Sequence, residues 1–290
     1  MGGAHKLRLL FLTVFLGGYG KTLLCYGVDM QNKDLKQFYD HVYHQGERKH
    51  YTSILLSGDN VPPAKDAVVK EISWKGKRVL DAGCGTGELP YLIAKKGAMH
   101  VLGIDYSKDA IEVAKKTYSA KNLSFECTDI VRVKGTFNVI CSLGTLEHVD
   151  DPLAVLRKFK KMLAPRGSII LTCPNWINPR GYMLLMLKYL FDARITLADI
   201  HYFTPLEFEQ FAKKLDMSLK WRTVEQEWGH GEKMIRDFEK RLPNVFRDSK
   251  LPFNDRRLNE FLNWLKTHML VFEKDMKHSG AVGLYHLTKG

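Results

Sequence analysis

The stretch that decides the fold is Val79-Leu-Asp-Ala-Gly-Cys-Gly-Thr-Gly87. It joins an apolar run that predicts a strand over 78–82 to a pattern that predicts a helix over 87–96. Glycines at alternate positions from Gly83 to Gly87 let the main chain approach a ligand where a Cβ atom would clash. Because ligands of an open parallel sheet bind beyond the carboxyl ends of its strands, the sequence predicts a small-molecule site at this loop.

Strand and helix patterns alternate on the carboxyl side of this loop. We predict helices over 107–118 and 152–163, and a third helix that begins at Thr204-Pro205. This alternation is typical of an α/β protein with a doubly wound, mostly parallel seven-stranded sheet and helical insertions. The other six predicted strands cover 101–104, 123–127, 137–143, 167–173, 218–225 and 281–287.

Acidic residues stand at the ends of the first three predicted strands. A dinucleotide loop has the spacing G-x-G-x-x-G, whereas this loop has G-x-G-x-G with Asp81 two residues earlier. A carboxylate there disfavours a pyrophosphate and suits a ligand with cationic groups. Asp105 is placed to accept hydrogen bonds from both hydroxyls of a ribose, and Asp129 from an adenine amino group, with Ile130 against the ring. A Rossmann-like protein that binds another nucleotide is the alternative.

Residues 79–173 resemble the class I S-adenosylmethionine-dependent methyltransferases, which have a Rossmann-like sheet. Asp81–Gly87 matches the first motif of that family, and Leu163–Ser168 matches a Leu-x-Pro-Gly-Gly turn except at Arg166. The resemblance implies that S-adenosyl-L-methionine is the cofactor and that the chain is a methyltransferase. The implied cofactor-binding residues are Asp81, Gly83, Gly85, Thr86, Gly87, Asp105, Tyr106, Asp129, Ile130 and Leu143.

Two further segments are similar to the ubiquinone-biosynthesis O-methyltransferases and their small-molecule relatives. They are Thr145-Leu-Glu-His-Val149, followed by Asp151-Pro152, and Asp199-Ile-His-Tyr-Phe-Thr-Pro205. The likeness implies methyl transfer to a hydroxyl of a quinone precursor, a lipid, a sugar or a secondary metabolite. The apolar run 181–191 favours an acceptor that is apolar or membrane-borne.

Proton removal from a hydroxyl suits a histidine, and His148 and His201 are the catalytic candidates. The alternatives are that His148 caps the next helix or supports the cofactor loop, and that His201 is a structural hydrogen-bond partner. In the quinone enzymes the Glu-His pair, with an earlier glutamate, is associated with a divalent metal, but Gly144 stands at that earlier position here. Because Glu147 and His148 alone are few ligands for a hard cation, we expect no metal.

The formal charge of +12 favours anionic partners in general. The basic residues are scattered and are not interleaved with aromatic residues as in a nucleic-acid groove, so we expect no nucleic-acid partner. Two rival functions stay open. One is an RNA or protein methyltransferase that docks its substrate on an insertion, and the other is a cofactor-binding protein without catalysis.

Three segments organise the chain. We expect a methyltransferase domain over 77–290, with insertions at 175–200 and 228–278 that cap the acceptor site, after a helical arm over 30–76. Residues 1–29 include an apolar run at 9–20, which suits a membrane anchor or a signal-like segment, and translation from Met30 is the third possibility.

The cysteines indicate the compartment. No C-x-x-C pair occurs among Cys25, Cys84, Cys127, Cys141 and Cys173, and the last three lie at the ends of apolar strand-like runs. Buried, reduced thiols are therefore expected rather than disulfides or a zinc site. This favours the cytoplasm, with membrane association through residues 9–20 as a further option.

Overall fold

The structure is a computed structural model that describes residues 62–196, 199–269 and 278–290. The apolar run 9–20 and most of the predicted arm over 30–76 lie outside the described residues. No helix in those three ranges combines the length and the apolar character needed to span a bilayer.

Within the described ranges, a single sheet of seven strands has the order β3-β2-β1-β4-β5-β7-β6. Strands β1 to β5 are parallel, and β7 lies antiparallel between β5 and β6. The order reverses between β1 and β4, so the predicted ligand loop after β1 lies at the switch point. The predicted fold class is confirmed. The strands are β1 Arg78–Ala82, β2 His100–Asp105, β3 Leu123–Cys127, β4 Phe137–Leu143, β5 Leu163–Pro174, β6 Ser218–Val224 and β7 Val282–Thr288.

Five of the nine described helices begin where the sequence supplies a side-chain cap. The hydroxyl of Ser107 accepts a hydrogen bond from the amide of Ala110, and Thr204 forms a capping box with Glu207. The helices are α1 Pro63–Glu71, α2 Glu88–Lys95, α3 Lys108–Thr117, α4 Pro152–Met162, α5 Pro179–Phe191, α6 Pro205–Leu215, α7 Gln226–His230, α8 Glu232–Asp248 and α9 Asp255–Trp264. Short 3₁₀ turns occupy Ile130–Arg132 and Leu146–His148, and a π-helical turn occupies Leu265–Met269.

The sheet buries apolar side chains on both faces, as a parallel sheet must. Neighbouring residues of one strand pack into different cores: Leu80 joins the core beneath α4 and α6, and Val79 joins the core beneath α1 and α2. The two insertions form a third core of their own around Trp176, Leu184 and Phe238. The inserted segments therefore pack against each other rather than lying singly on the sheet.

Two expectations from the sequence are wrong in detail. Strand β5 begins at Leu163 rather than at 167, so the predicted turn is part of the strand, and Arg166 adopts a φ of 56° within it. Cys127 is exposed because it ends β3, one of the two edge strands of the sheet, whereas Cys84, Cys141 and Cys173 are buried thiols. Cys25 lies outside the described residues.

Candidate functional site

The glycine loop between β1 and α2 is packed against the segment that follows β4. Gly83, Gly85 and Gly87 have φ values of 79°, 53° and 88°, a region that other residues adopt at a cost of about 1 kcal/mol. A Cβ atom on Gly83 would overlap the hydroxyl of Thr145. The glycine at this position is thus required by both the backbone conformation and the close approach of Thr145.

Main-chain hydrogen bonds hold the same loop against the end of β2. The amides of Gly83 and Cys84 both donate to the carbonyl of Ile104 at 2.9 Å. The amide of Gly85 donates to Oδ2 of Asp105 at 2.9 Å, and the amide of Ser107 donates to Oδ1 of Asp105 at 2.9 Å. Each carboxylate oxygen of Asp105 is therefore oriented by an amide, and the side chain is held at the edge of the sheet where the ribose acid was predicted.

Asp81 is buried and carries an unsatisfied oxygen. Its side chain is 2% exposed, and Oδ1 has no hydrogen-bond partner among the residues that the structure describes. Burial raises the pKa of Asp81 to about 8, opposed by the positive charge of Lys65 and increased by the acids Asp105 and Glu88. An unpaired buried carboxyl favours a cationic donor. The ammonium group of S-adenosylmethionine is such a donor, so the loop fits this cofactor.

A salt bridge beside Asp81 was not foreseen. Glu88 is buried at the start of α2, where Oε1 accepts a hydrogen bond from the hydroxyl of Thr86 at 2.7 Å and Oε2 lies 3.4 Å from Nζ of Lys65. Lys65 belongs to α1. An acid directly after the glycine loop is visible in the sequence, but nothing local indicates that Lys65 reaches it.

The other predicted cofactor residues lie along the same edge of the sheet. Asp129 is exposed, and its Oδ1 accepts a hydrogen bond from the amide of Val131 at 2.9 Å. Ile130 and Leu143 are half-buried against the two sheet cores, and the Tyr106 carbonyl accepts a 3.6 Å hydrogen bond from the thiol of Cys127. The structure thus brings the ends of β1 to β4 together at one edge, as the order of the motifs predicted.

A second group of titratable side chains follows β4. The 3₁₀ turn there ends at His148, whose Nδ1 lies 3.6 Å from Oδ1 of Asp199. The amides of Ile200 and His201 donate to the carbonyl of Glu147 at 3.0 and 3.1 Å. The end of the first insertion is therefore fastened to the turn that carries His148.

Glu147 is buried next to His148. Burial raises the pKa of Glu147 to about 8, opposed by a hydrogen bond to its own backbone, raised further by the charge of Asp199 and lowered by the thiol of Cys173. Its Oε2 has no hydrogen-bond partner in the part of the chain that the structure describes. Burial therefore favours the protonated form of Glu147.

His201 has a different environment from His148. Its Nε2 lies 2.8 Å from the carbonyl oxygen of Val149, and its ring stacks on Phe203 at 5.3 Å between centroids. Because a carbonyl oxygen only accepts hydrogen bonds, Nε2 of His201 carries a proton and donates it. This contact fits a structural role for His201.

The metal that the resemblance brings into question does not fit these residues. A hard cation needs several oxygen ligands, but Gly144 offers no side-chain ligand at the position of the earlier glutamate. Within 62–196, 199–269 and 278–290, no three His, Cys, Asp or Glu side chains are grouped so that they could hold an ion.

The comparison with protein families decides the identity of the fold. A family model described as "Methyltransferase domain" matches residues 73–219, from just before β1 into β6. The chain belongs to the class I S-adenosylmethionine-dependent methyltransferases. Its cofactor is S-adenosylmethionine, and the glycine loop, Asp105 and the His148 turn all lie within the matched range.

Individual relatives agree with this assignment. The ubiquinone biosynthesis O-methyltransferase of Neisseria meningitidis (serogroup A, serotype 4A) is 35% identical over 118 residues, which are 38% of this chain and 49% of the relative. The chain thus spans about half the length of the curated relatives it matches.

Two solved structures share the methyltransferase fold. Phosphoethanolamine N-methyltransferase 2 of Haemonchus contortus, in complex with S-adenosyl-L-methionine, has a TM-score of 0.55 at 14% identity, covering 88% of this chain and 59% of that one. A complex of the Haloferax volcanii Trm112 methyltransferase activator with a methyltransferase has a TM-score of 0.54 at 15% identity, covering 86% and 96%. At these identities the likeness concerns the fold alone.

Proposed function

We propose that this methyltransferase transfers a methyl group to a hydroxyl of a small-molecule acceptor. The observation that carries the proposal is the contact between the glycine loop and the His148 turn. Gly83 packs on Thr145, and His148 follows three residues later. A histidine therefore stands on a segment that touches the cofactor loop, where a base for the acceptor hydroxyl is needed.

The residues at the edge of the sheet divide the work of holding the cofactor. Asp81 pairs with its ammonium group, Asp105 accepts hydrogen bonds from the ribose, and Asp129 with Ile130 contacts the adenine. When bound, S-adenosylmethionine supplies the methyl group on a positively charged sulfur. The buried loop excludes water from that charge and orients the acceptor.

We assign the proton-accepting role to His148 rather than to His201. The Nε2 atom of His201 is engaged with the carbonyl of Val149 at 2.8 Å. His148 instead lies beside the carboxylate of Asp199, which stabilises an imidazolium once a proton is accepted.

We further propose that the acceptor has apolar character. Helix α5 exposes Tyr182, Met186, Tyr189 and Leu190 on one face, with Tyr189 74% and Leu190 69% exposed. Soluble proteins rarely expose such a stripe without a use for it. The relatives named as ubiquinone biosynthesis O-methyltransferases support an acceptor of phenolic, quinone-precursor type.

Cofactor binding is tested first, by calorimetric titration of S-adenosylmethionine and of its demethylated product. We expect micromolar affinity for the wild type and a loss of at least about 100-fold in Asp105→Ala, because the ribose loses both acceptors and Gly85 loses its anchor. Asp248→Ala removes an exposed acid at the end of α8 and is the matched control. Equal affinities in the two variants would contradict the assignment of Asp105.

Turnover is tested with a panel of phenols and catechols that carry apolar tails of increasing length, by measuring release of the demethylated cofactor. We expect His148→Ala to lower kcat by about 100-fold or more, as loss of a general base does, and His201→Ala to have a smaller effect. Unchanged kcat in His148→Ala, with cofactor binding intact, would remove His148 from the mechanism.

A further inference from the structure

We propose that Asp199 positions the imidazole of His148 for proton removal, an inference that rests on the role of His148 proposed above. Asp199 belongs to the first insertion and His148 to the turn after β4, and 50 residues separate them in the chain. Asp199 is a positioning residue in this proposal because it acts on the acceptor only through His148.

The main chain determines the approach of the two side chains. Residues on either side of the pair are joined directly, since the amides of Ile200 and His201 donate to the carbonyl of Glu147. The side chains of His148 and Asp199 are 12% and 15% exposed, which restricts their rotamers. Their separation of 3.6 Å is longer than a hydrogen bond, and catalytic hydrogen bonds often tighten only when substrate is bound.

Arginines from both insertions place positive charge near the carboxyl of Asp199. Burial raises the pKa of Asp199, and the positive charges of His148, Arg241 and Arg180 oppose that rise. Arg180 lies in the first turn of α5, and its Nε donates to Oδ2 of Asp237 at 2.8 Å. Arg241 lies on α8 and donates from Nη1 to the carbonyl of Ile195 at 3.0 Å.

Asp237 joins the two arginines into one unit. It accepts two hydrogen bonds from Nε of Arg241, at 3.1 and 2.9 Å, in addition to the bond from Arg180. Glu147 is the other acid that faces Asp199, and burial raises the pKa of Glu147 to about 8. The carboxyl of Asp199 therefore lies near two arginines and 3.6 Å from Nδ1 of His148.

A carboxylate at Nδ1 selects one tautomer of the imidazole. The proton lies on Nδ1, and the lone pair that accepts the acceptor's proton then lies on Nε2. In a hydroxyl acceptor the O–H bond breaks, Nε2 takes the proton, and the oxygen electron pair forms the bond to the transferred methyl carbon. The insertions thus do more than cover the acceptor, because they contribute the group that orients the base.

The direct test needs no acceptor. Histidine-¹⁵N nuclear magnetic resonance at pH 8 is recorded on the full chain as wild type, Asp199→Asn and Asp192→Asn, with His148→Ala for assignment. Asp192 is an exposed acid of the same insertion in a left-handed conformation that Asn accepts, so its variant is the matched control. We expect the Nδ1–H tautomer in the wild type and the control, and a shift towards Nε2–H in Asp199→Asn. A wild type with Nε2–H, or a tautomer that Asp199→Asn leaves unchanged, would overturn the proposal.

A kinetic cycle separates this inference from the proposed function. With 4-hexylcatechol, a catechol that carries an apolar tail, as the acceptor probe, we expect Asp199→Asn to lower kcat about 10- to 100-fold without changing cofactor affinity, and Asp199→Glu to retain more activity than Asn. In a His148→Ala background the same change should be less than about twofold. Equal losses in both backgrounds would show that Asp199 does not act through His148. If His148→Ala alone leaves kcat unchanged, or the wild type does not turn over the probe, the proposed function fails while the tautomer result stands.

Discussion

Asp81 and Glu147 are two buried carboxyls with the same pKa of about 8, in the two halves of the site. Each has one oxygen without a partner among the described residues. Their neighbours differ: Asp81 faces the charges of Lys65, Glu88 and Asp105, whereas Glu147 faces the thiol of Cys173 and the carboxyl of Asp199. The same pKa therefore has different consequences, since a cation can ionise Asp81, whereas among the described residues no cationic side chain lowers the pKa of Glu147.

The two halves also differ in how the chain assembles them. The surroundings of Asp81 come mostly from residues 81–105, which the first two strands bring together with short connections. The surroundings of Glu147 come from Cys173 at the end of β5 and from Asp199 in an insertion. The surroundings of Asp81, which we call the cofactor half of the site, are therefore encoded locally. The surroundings of Glu147, which we call the acceptor half, depend on how the insertions pack.

The largest effect is expected where the two halves touch. Gly83→Ala should lower the free energy of unfolding by about 3 kcal/mol or more, because it combines a positive φ with an overlap on Thr145. Gly97→Ala, with a φ of 85° and nothing within 4 Å of the added Cβ, should cost about 1 kcal/mol. Urea unfolding measures both variants.

The double variant Gly83→Ala/Thr145→Ala identifies the cause of that loss. Removal of the Thr145 hydroxyl and methyl should restore part of the stability, leaving the share that comes from φ. If Gly83→Ala costs no more than Gly97→Ala, the contact between Gly83 and Thr145 does not contribute to stability. The glycine loop and the turn that carries His148 would then not be coupled through this contact.

A smaller effect is expected from pH acting on Glu147. Its pKa is higher in the folded chain than the usual 4.5, so its contribution to stability is present below about pH 4.5 and is lost as the pH rises through about 8. Between pH 5 and 9 the wild type should therefore lose a few kcal/mol relative to Glu147→Gln, since each pH unit between two pKa values corresponds to about 1.4 kcal/mol.

Adding cofactor to the same measurement distinguishes the pH dependence of stability that arises from Glu147 from that which arises from Asp81. Saturating S-adenosylmethionine should leave the pH-dependent loss at Glu147 in place, because no cation reaches that carboxyl. A ligand that abolished the difference between the wild type and Glu147→Gln would show that the two halves are not electrostatically distinct. Chemical denaturation at pH 5, 7 and 9, with and without cofactor, gives the answer.

The smallest effect is expected in cofactor affinity. Asp81 must lose its proton when it pairs with an ammonium group, so S-adenosylmethionine should bind about 20-fold more tightly at pH 7.5 than at pH 6, with proton release. The range stops at 7.5 because an α-amino group loses its own proton near pH 8. Calorimetry in two buffers of different ionisation enthalpy measures how many protons are released when the cofactor binds.

Asp81→Asn is the variant that decides this point. It should bind S-adenosylmethionine more weakly at pH 7.5 and show no pH-dependent gain over the same range. A gain in affinity that persists in Asp81→Asn would assign the titration to another group. Asp81 would then not be the carboxyl that responds to a bound cation.

Much of the cofactor half could be predicted from the sequence. The strands β3 and β4 have the predicted bounds, and Asp105 and the three glycines lie at the predicted edge of the sheet. Alternating apolar patterns and short connections leave a parallel sheet few topologies, so the strand ends must meet. A fifth strand was predicted from residue 167, but its start at Leu163 was not, because Pro165 and Gly167 are typical turn residues.

The sequence by itself determined the family, the sheet and the edge of the sheet at which the glycine loop lies, because those features depend on local periodicity and on residues close in the chain. Only the tertiary structure decided that Lys65 pairs with Glu88 and that Asp199 lies beside His148. It also decided that His201 is turned towards the Val149 carbonyl. These contacts join residues that are 23 to 52 positions apart in the chain. A local sequence pattern does not indicate which distant segments come into contact.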